Sequence, residues 1–241
     1  ATITDFNSAY TGELSITNVL DGCSVVGIGT NAFASCSSLT DITIPESVKN
    51  IGNQAFIFCG NLTRVTIGSI VTNIGGQAFE ACTKLTNAVI PASVITIGLR
   101  AFRLCSGLPA INVSGDNSAY SSADGVLFNK NRTKLIQYPG GKFGGYTIPE
   151  SVTNIGYAAF QYCNGLTGIT CGNNVAVIEE SAFYGCNGLA NVMLGNSVAV
   201  IGNQAFSGCT GLTNITIPNS VTSIVYSAFS SCTNLRGAYF M

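Results

Sequence analysis

The sequence has no histidine and no tryptophan, and only 9 % of its 241 residues are charged, against roughly 25 % in an ordinary globular chain. Without histidine, Ser-His and Cys-His nucleophile pairs, imidazole general bases and His-liganded zinc are excluded. Ten Lys and Arg residues stand against eleven Asp and Glu, a net charge of −1. The basic excess that draws a protein to nucleic acid or to anionic lipid is therefore missing. Mean hydropathy is high, at +0.40. Yet Gly, Pro, Asn or Ser breaks every apolar run before it reaches the ~18–20 residues of a membrane span, so no membrane insertion is expected. Phosphate loops of the G-x-x-x-x-G-K-[ST] or G-x-G-x-x-G kind are absent, and no cofactor is expected. Ala1 opens the chain without an initiator Met or a basic leader, as in a sequence whose signal peptide, if it had one, is already gone.

What is present is repetition, which decides the fold class before any local reading. An Ala-Phe pair recurs with its Phe at 33, 56, 79 and 102, then at 160, 183, 206 and 229, at a spacing of 23 residues within each set. Between Phe102 and Phe160 the spacing is 58, one repeat plus a 35-residue lapse. A cysteine follows each Phe at +3 (Cys36, Cys59, Cys82, Cys105, Cys163, Cys186, Cys209, Cys232), and a leucine follows each cysteine at +3. Ile42-Thr43-Ile44 alternates apolar and polar, which predicts a strand with one buried face. Pro45, or Gly68, Gly172 and Gly195 at the same place, ends that strand. Val48 and Ile51 point two more apolar residues inward before Gly52 turns the chain. The i, i+3, i+6 apolar spacing of Ala-Phe-x-x-Cys-x-x-Leu predicts a short helical or 3₁₀ turn. One strand and one turn cannot bury their own apolar faces, whereas stacked coils can, so the periodicity predicts a solenoid.

The unit L-x-x-I-x-I-P-x-S-V-x-x-I-G-x-x-A-F-x-x-C resembles the BspA-like class of leucine-rich repeats of bacterial and protist surface proteins, from about Leu14 to Met241. The segment from Asn117 to Pro139, with Asp124-Gly125-Val126-Leu127-Phe128 and Leu135-Ile136-Gln137-Tyr138-Pro139, is similar to a hairpin that recurs in that family. Glu179 and Val225 depart from it where Gly52, Gly75 and Gly202 stand elsewhere, and Cys171 replaces the second strand Ile. The resemblance implies an α/β solenoid: a right-handed, curved leucine-rich-repeat stack with a mainly parallel concave sheet and one strand per coil. It also implies adhesion or protein binding at a cell surface.

A single domain over 1–241 is expected, with 1–30 as cap and first irregular coil, a projecting β-hairpin insertion at 114–145, and a last coil that stops in mid-repeat. The hairpin is read as two strands, Val126 to Phe128 and Lys134 to Tyr138, joined by the five-residue loop from Asn129 to Thr133. Phe6 and Tyr10 lie in the stretch expected to fold over the first coil. At the other end Leu235, Ala238 and Phe240 occupy inward positions with no polar segment after them. A chain cut from a longer protein, or a last coil covered by another molecule, would satisfy them, and weak self-association through this coil is expected.

Ten cysteines in a chain with surface-protein character invite a disulfide framework. Eight of them share one inward repeat position, where free Cys acts as a small buried hydrophobe and parallel side chains are poorly aimed for a bridge. Cys23 and Cys171 lie outside that ladder, about six coils or ~29 Å apart at ~4.8 Å per coil, too far to pair. Free thiols are therefore expected throughout, and with no C-x-x-C pair, no zinc site.

The outward strand positions are the main candidate surface. One row reads Thr43, Thr66, Val89, Asn112, Thr147, Thr170, Met193, Thr216 and Tyr239, and the row two residues earlier reads Asp41, Arg64, Asn87, Ala110, Gly145, Gly168, Asn191, Asn214 and Gly237. The functional reading is a partner-binding face, with Asp41, Thr43, Arg64, Thr66, Asn87, Val89, Asn191, Met193 and Tyr239 as its candidates. The bland reading is that Thr suits a half-exposed strand. An ice-binding array would need an unbroken Thr row, which Val89, Asn112, Met193 and Tyr239 interrupt. Lys130, Arg132 and Lys134 of the insert form a second candidate, a basic hairpin aimed at an acidic partner or simply a solvated tip.

Candidates for chemistry are few. Glu179 and Glu180 are neighbours in sequence and would diverge rather than flank one bond. Asp116 and Asp124 lack the spacing of a calcium loop. Asn61, Asn112, Asn131 and Asn214 stand in N-x-[ST] sequons, relevant only in a eukaryotic secretory pathway. The leading expectation is a non-enzymatic binding module of a secreted or surface protein, contacting a protein of the extracellular matrix or a host surface. Spacer repeats without a ligand are the alternative, and a carbohydrate-active enzyme is the remote one.

Overall fold

The computed structural model describes residues 1–241. It divides into two compact units, Ala1–Lys130 and Asn131–Met241, whose boundary falls inside the expected insert. In both, each repeat is one coil of a parallel-strand solenoid.

In the first unit the L-x-x-I-x-I segments form the strands Gly12–Ser15, Leu39–Thr43 and Arg64–Thr66, paired in parallel, followed by the pair Ala88–Ile90 and Ile111–Val113. The register follows the repeat: Asp41 lies beside Arg64, Ile42 beside Val65 and Thr43 beside Thr66. Contrary to the expectation of one strand per coil, there are two. The V-x-x-I-G segments supply a second parallel row of short strands, Thr2–Ile3, Gly27–Ile28, Asn50–Ile51, Asn73–Ile74 and Thr96–Ile97. The glycine after these strands is needed for close approach rather than for a turn. A Cβ at Gly52 would sit 2.6 Å from the backbone of Gly29, and one at Gly75 2.5 Å from that of Gly52.

No helix forms anywhere, so the α/β assignment and the helical or 3₁₀ turns are both wrong. The Ala-Phe-x-x-Cys segment instead carries left-handed residues four positions apart, Gln54 just before it at φ 57° and Phe58 within it at φ 60°. The N–H groups of Gln54, Phe56 and Phe58 donate across to the next coil, to the carbonyls of Gly76, Ala78 and Glu80 at 2.8, 2.7 and 2.9 Å. Those of Ala55, Ile57 and Cys59 close tight turns back onto Gly52, Gln54 and Phe56. Left-handed conformation costs an L-residue about 1–2 kcal/mol. The intercoil bonds offset that cost, and a buried N–H left without a partner would cost about as much again. Helix and turn ladder place every third residue inward alike, which is why spacing alone could not separate them.

The interior is a set of ladders. Phe33, Phe56, Phe79 and Phe102 stack nearly parallel with centroids 4.9, 5.2 and 5.4 Å apart. Phe6 continues the stack at 4.7 Å from Phe33 while Thr2–Ile3 pairs with Gly27–Ile28. Residues 1–13 thus cover the first coil by forming a shortened coil of their own. Near the end of this unit Tyr120–Ala123 and Val126–Asn129 make an antiparallel hairpin. Its two-residue turn, Asp124-Gly125, has φ 50° and 76° as a type I′ hairpin requires. Its turn precedes the one read from the sequence at Asn129–Thr133, and this hairpin does not project: Val126, Leu127 and Phe128 are fully buried, and buried Asn117 ties the segment down by donating to the carbonyls of Pro91 and Val94 at 2.7 and 2.9 Å.

In the second unit the first strand row holds Gly144–Thr147, Leu166–Thr170 and Asn191–Met193 in one parallel sheet, and Asn214–Ile217 with Gly237–Phe240 in another. The second row runs Lys134–Gln137, Asn154–Ile155, Val177–Ile178, Val200–Ile201 and Ser223–Ile224. The aromatic stack is Tyr138, Phe160, Phe183, Phe206 and Phe229, at 4.7–5.4 Å. Tyr138 shows that the 35-residue lapse conceals a degenerate coil. Its N–H donates to the Ala159 carbonyl at 2.8 Å, as those of Phe33, Phe56, Phe79, Phe160, Phe183 and Phe206 do to the Ala of the next coil.

Candidate functional site

The inward positions hold no exposed chemistry. All ten cysteines are free, and every one but Cys23 is buried. The thiol of Cys59 donates to the Phe33 carbonyl at 3.0 Å, Cys105 to Phe79 at 3.1 Å, and Cys186 to Phe160 at 2.9 Å. Burial pushes the pKa of Cys59, Cys105 and Cys163 up to about 12. These thiols are protonated donors at neutral pH, not nucleophiles or metal ligands.

The outward strand row is where the sequence candidates come together, six in one unit and three in the other. In the first unit Asp41 and Arg64 are register neighbours joined by a salt bridge, Arg64 Nε to Asp41 Oδ1 at 2.9 Å. Thr43 and Thr66 pair beside them, and a parallel backbone β-bridge joins Arg64 to Asn87. Val89 is exposed beside Asn112. The face is charged, but its two principal charges answer one another.

In the second unit Asn191, Met193 and Tyr239 line one groove of about 520 Å³. Its remaining walls are Ala190, Val192, Thr213, Asn214, Ile215 and Thr216, and no charged side chain lines it. Met193 is 65 % and Tyr239 59 % exposed. The groove coincides with a break in the strand row, because Asn191–Met193 and Asn214–Ile217 belong to separate sheets. Asn214 and Thr216 stand in the rows read from the sequence, yet only the break, which no residue pattern announces, singles them out. A smaller apolar cavity of about 290 Å³ lies within the first coil, between Phe6, Phe33, Leu14, Ile16 and Val25.

The three basic residues of the insert do not form a projecting arm. Lys130 donates through Nζ to the carbonyls of Gly115 and Asn117, folding its charge back onto the chain. Lys134 donates to Glu179 Oε1 at 2.7 Å, and Glu179 Oε2 accepts the Tyr157 N–H at 2.6 Å. Arg132 is exposed, with a left-handed φ of 54°. Glu179, a departure from the repeat glycine, thus serves as a clamp between coils. The reading of diverging neighbours passed over that role.

Residues 6–131 and 138–241 match the BspA type leucine rich repeat region, in six copies. Among solved structures, the pneumococcal vaccine antigen PcpA superposes with a TM-score of 0.82 at 28 % identity, over 91 % of this chain and 55 % of its own. A leucine rich cell surface protein from Faecalibacterium prausnitzii A2-165 gives 0.76 at 32 % identity, over 90 % of this chain and 64 % of its own. A leucine-rich repeat protein from Eubacterium ventriosum, at 24 % identity and 0.71, shares the fold. The chain therefore spans between half and two thirds of the length of the first two. A comparison with curated proteins gave no significant match. No helix is long and apolar enough to cross a membrane.

Proposed function

This chain belongs to the BspA-type leucine-rich repeat family, and we propose that it is a non-enzymatic binding module of a secreted or cell-surface protein, contacting its partner through the outward strand row. The observation that carries the reading is the groove: three of the residues singled out on this row, Asn191, Met193 and Tyr239, line it together. Exposed Met and Tyr side chains beside uncharged polar groups are what a contact surface offers and what a surface selected only for solubility avoids. Two relatives, a pneumococcal vaccine antigen and a leucine rich cell surface protein, support the location. Against a carbohydrate-active enzyme stands the engagement of Glu179 by Lys134 and Tyr157. The spacer reading draws on the first unit, whose Asp41–Arg64 pair is satisfied within the chain.

Binding of the full chain to immobilised extracellular matrix and host-cell surface extract tests the proposal. The combined Arg64→Ala, Met193→Ala and Tyr239→Ala variant should lose binding at least about fivefold with its melting temperature unchanged, hot spots being few and aromatic or Arg-rich. A spacer would show no binding, or none that these substitutions alter. We also propose weak self-association through the last coil, where Phe240 is 74 % exposed beside exposed Met241. Sedimentation over a concentration series should show it, and Tyr239→Lys with Phe240→Lys should reduce it.

A further inference from the structure

We propose that the groove of the second unit binds a neutral glycan; this rests on the outward row being the contact face and narrows it to a ligand class. Its volume, about 520 Å³, lies within the ~300–1,000 Å³ of small-ligand sites. The polar groups in it are the amides of Asn191 and Asn214 and the hydroxyls of Thr213 and Thr216. Amides and hydroxyls each both donate and accept, as every sugar hydroxyl does. Asn214 Nδ2 donates to Thr213 Oγ1 at 3.3 Å, which sets the amide's orientation. With no charged side chain in the lining, a carboxylate, phosphate or ammonium entering the groove would lose hydration without a counter-charge. An uncharged polyol loses nothing of that kind.

The apolar side of a sugar ring needs a flat partner, and Tyr239 supplies one. A Cβ built at Gly237 would lie 2.8 Å from the Tyr239 Oη and 2.9 Å from its Cζ and Cε2. The ring is therefore laid down across the bare backbone of Gly237 and still more than half exposed. Any side chain at 237 would tip it up, which makes Gly237 a positioning residue for the platform. Met193 provides the opposite wall, adaptable in shape.

The test is calorimetry of the full chain with cellohexaose, xylohexaose, maltohexaose and mannohexaose, and with hexagalacturonate as the charged counterpart. At least one neutral hexasaccharide should bind, with an affinity unchanged between about 50 and about 500 mM NaCl, because no charge is screened. Tyr239→Ala and Asn214→Ala should each weaken it at least about tenfold. Gly237→Val should do the same while keeping the phenol, and Lys84→Ala, at an exposed position of the first unit outside the outward row, should leave it unchanged. The two alanine variants change exposed side chains, so they decide the matter even if Gly237→Val fails to fold. No neutral hexasaccharide binding at ~10 mM, preference for hexagalacturonate, or affinity kept in both alanine variants would overturn the proposal. If every saccharide fails while Tyr239→Ala abolishes capture of an enzymatically deglycosylated surface protein, the glycan falls and the contact face stands. If neither kind of partner is bound, the contact face falls as well.

Discussion

The outward strand faces of the two units differ more than their interiors do. Both stack a Phe, a Cys and a Leu per coil at the same intercoil distance, 4.9 Å for Phe33–Phe56 and again 4.9 Å for Phe183–Phe206. Outside, the first unit presents Asp41 paired with Arg64, and the second an uncharged groove between Met193 and Tyr239. An inward residue must match the same residue one coil away, so substitution there is punished on both sides. An outward residue touches solvent, and neighbouring coils restrain it only weakly. The repeat therefore conserves its core and leaves its surface free to specialise.

That contrast predicts equal responses from the interiors and unequal ones from the faces. The largest expected effect is alkaline. Cys59 and Cys105 in the first unit and Cys163 in the second are raised by burial from an ordinary 9.0 to about 12. The folded state thus holds these protons more tightly than the unfolded chain. Stability should be flat below pH ~9 and fall steeply as pH climbs toward ~12, in both units together. Circular dichroism against pH checks this. At neutral pH a thiol reagent should label Cys23 and reach the other nine only after denaturation, all as free thiols. An intercoil disulfide found by mass spectrometry would contradict the ladder.

Next in size is the aromatic stack. Phe79→Ala and Phe183→Ala should each cost about 3–5 kcal/mol in urea denaturation, because neither site can collapse between rigid coils. Values differing by more than ~2 kcal/mol would show that the two interiors are not equivalent. A smaller, asymmetric effect belongs to Glu179, which has no counterpart in the first unit, where Gly52, Gly75 and Gly98 fill that position. Glu179→Ala should cost about 1–2 kcal/mol through the lost Tyr157 and Lys134 bonds. Glu179→Gln should cost under ~1 kcal/mol, since the ion pair is partly solvated. The smallest is Arg64→Ala, under ~0.5 kcal/mol for an exposed surface pair. A larger loss of stability would mean that the first unit's charged face is structural after all.

Cys59→Ser refines one inference. A hydroxyl in an apolar ladder would be expected to cost roughly 1–3 kcal/mol. The Phe33 carbonyl that already accepts the Cys59 thiol can accept the hydroxyl too, which places the cost at the low end of that range.

Much of this architecture was legible in the sequence, because a 23-residue recurrence of Ala, Phe, Cys and Leu has no packed solution except stacked coils. The ladder positions, the free buried thiols and the two outward rows all follow from that repeat together with the two-residue period of strands. What needed the tertiary structure is everything that depends on where backbone hydrogen bonds go. Whether Ala-Phe-x-x-Cys is a helix or a turn ladder turns on N–H groups reaching the next coil, as Phe56 does to Ala78. The second strand in each coil, likewise, is only two residues long and exists through its neighbours. Tyr138 was hidden as a core aromatic because its coil lacks the repeat's spacing. The groove at Asn191, Met193 and Tyr239 arises where two strands fail to share a sheet, and such a lapse belongs to no single residue. Local pattern determines which side of a strand is buried; the pairing between coils, a property of residues 23 positions apart, decides what the exposed side can hold.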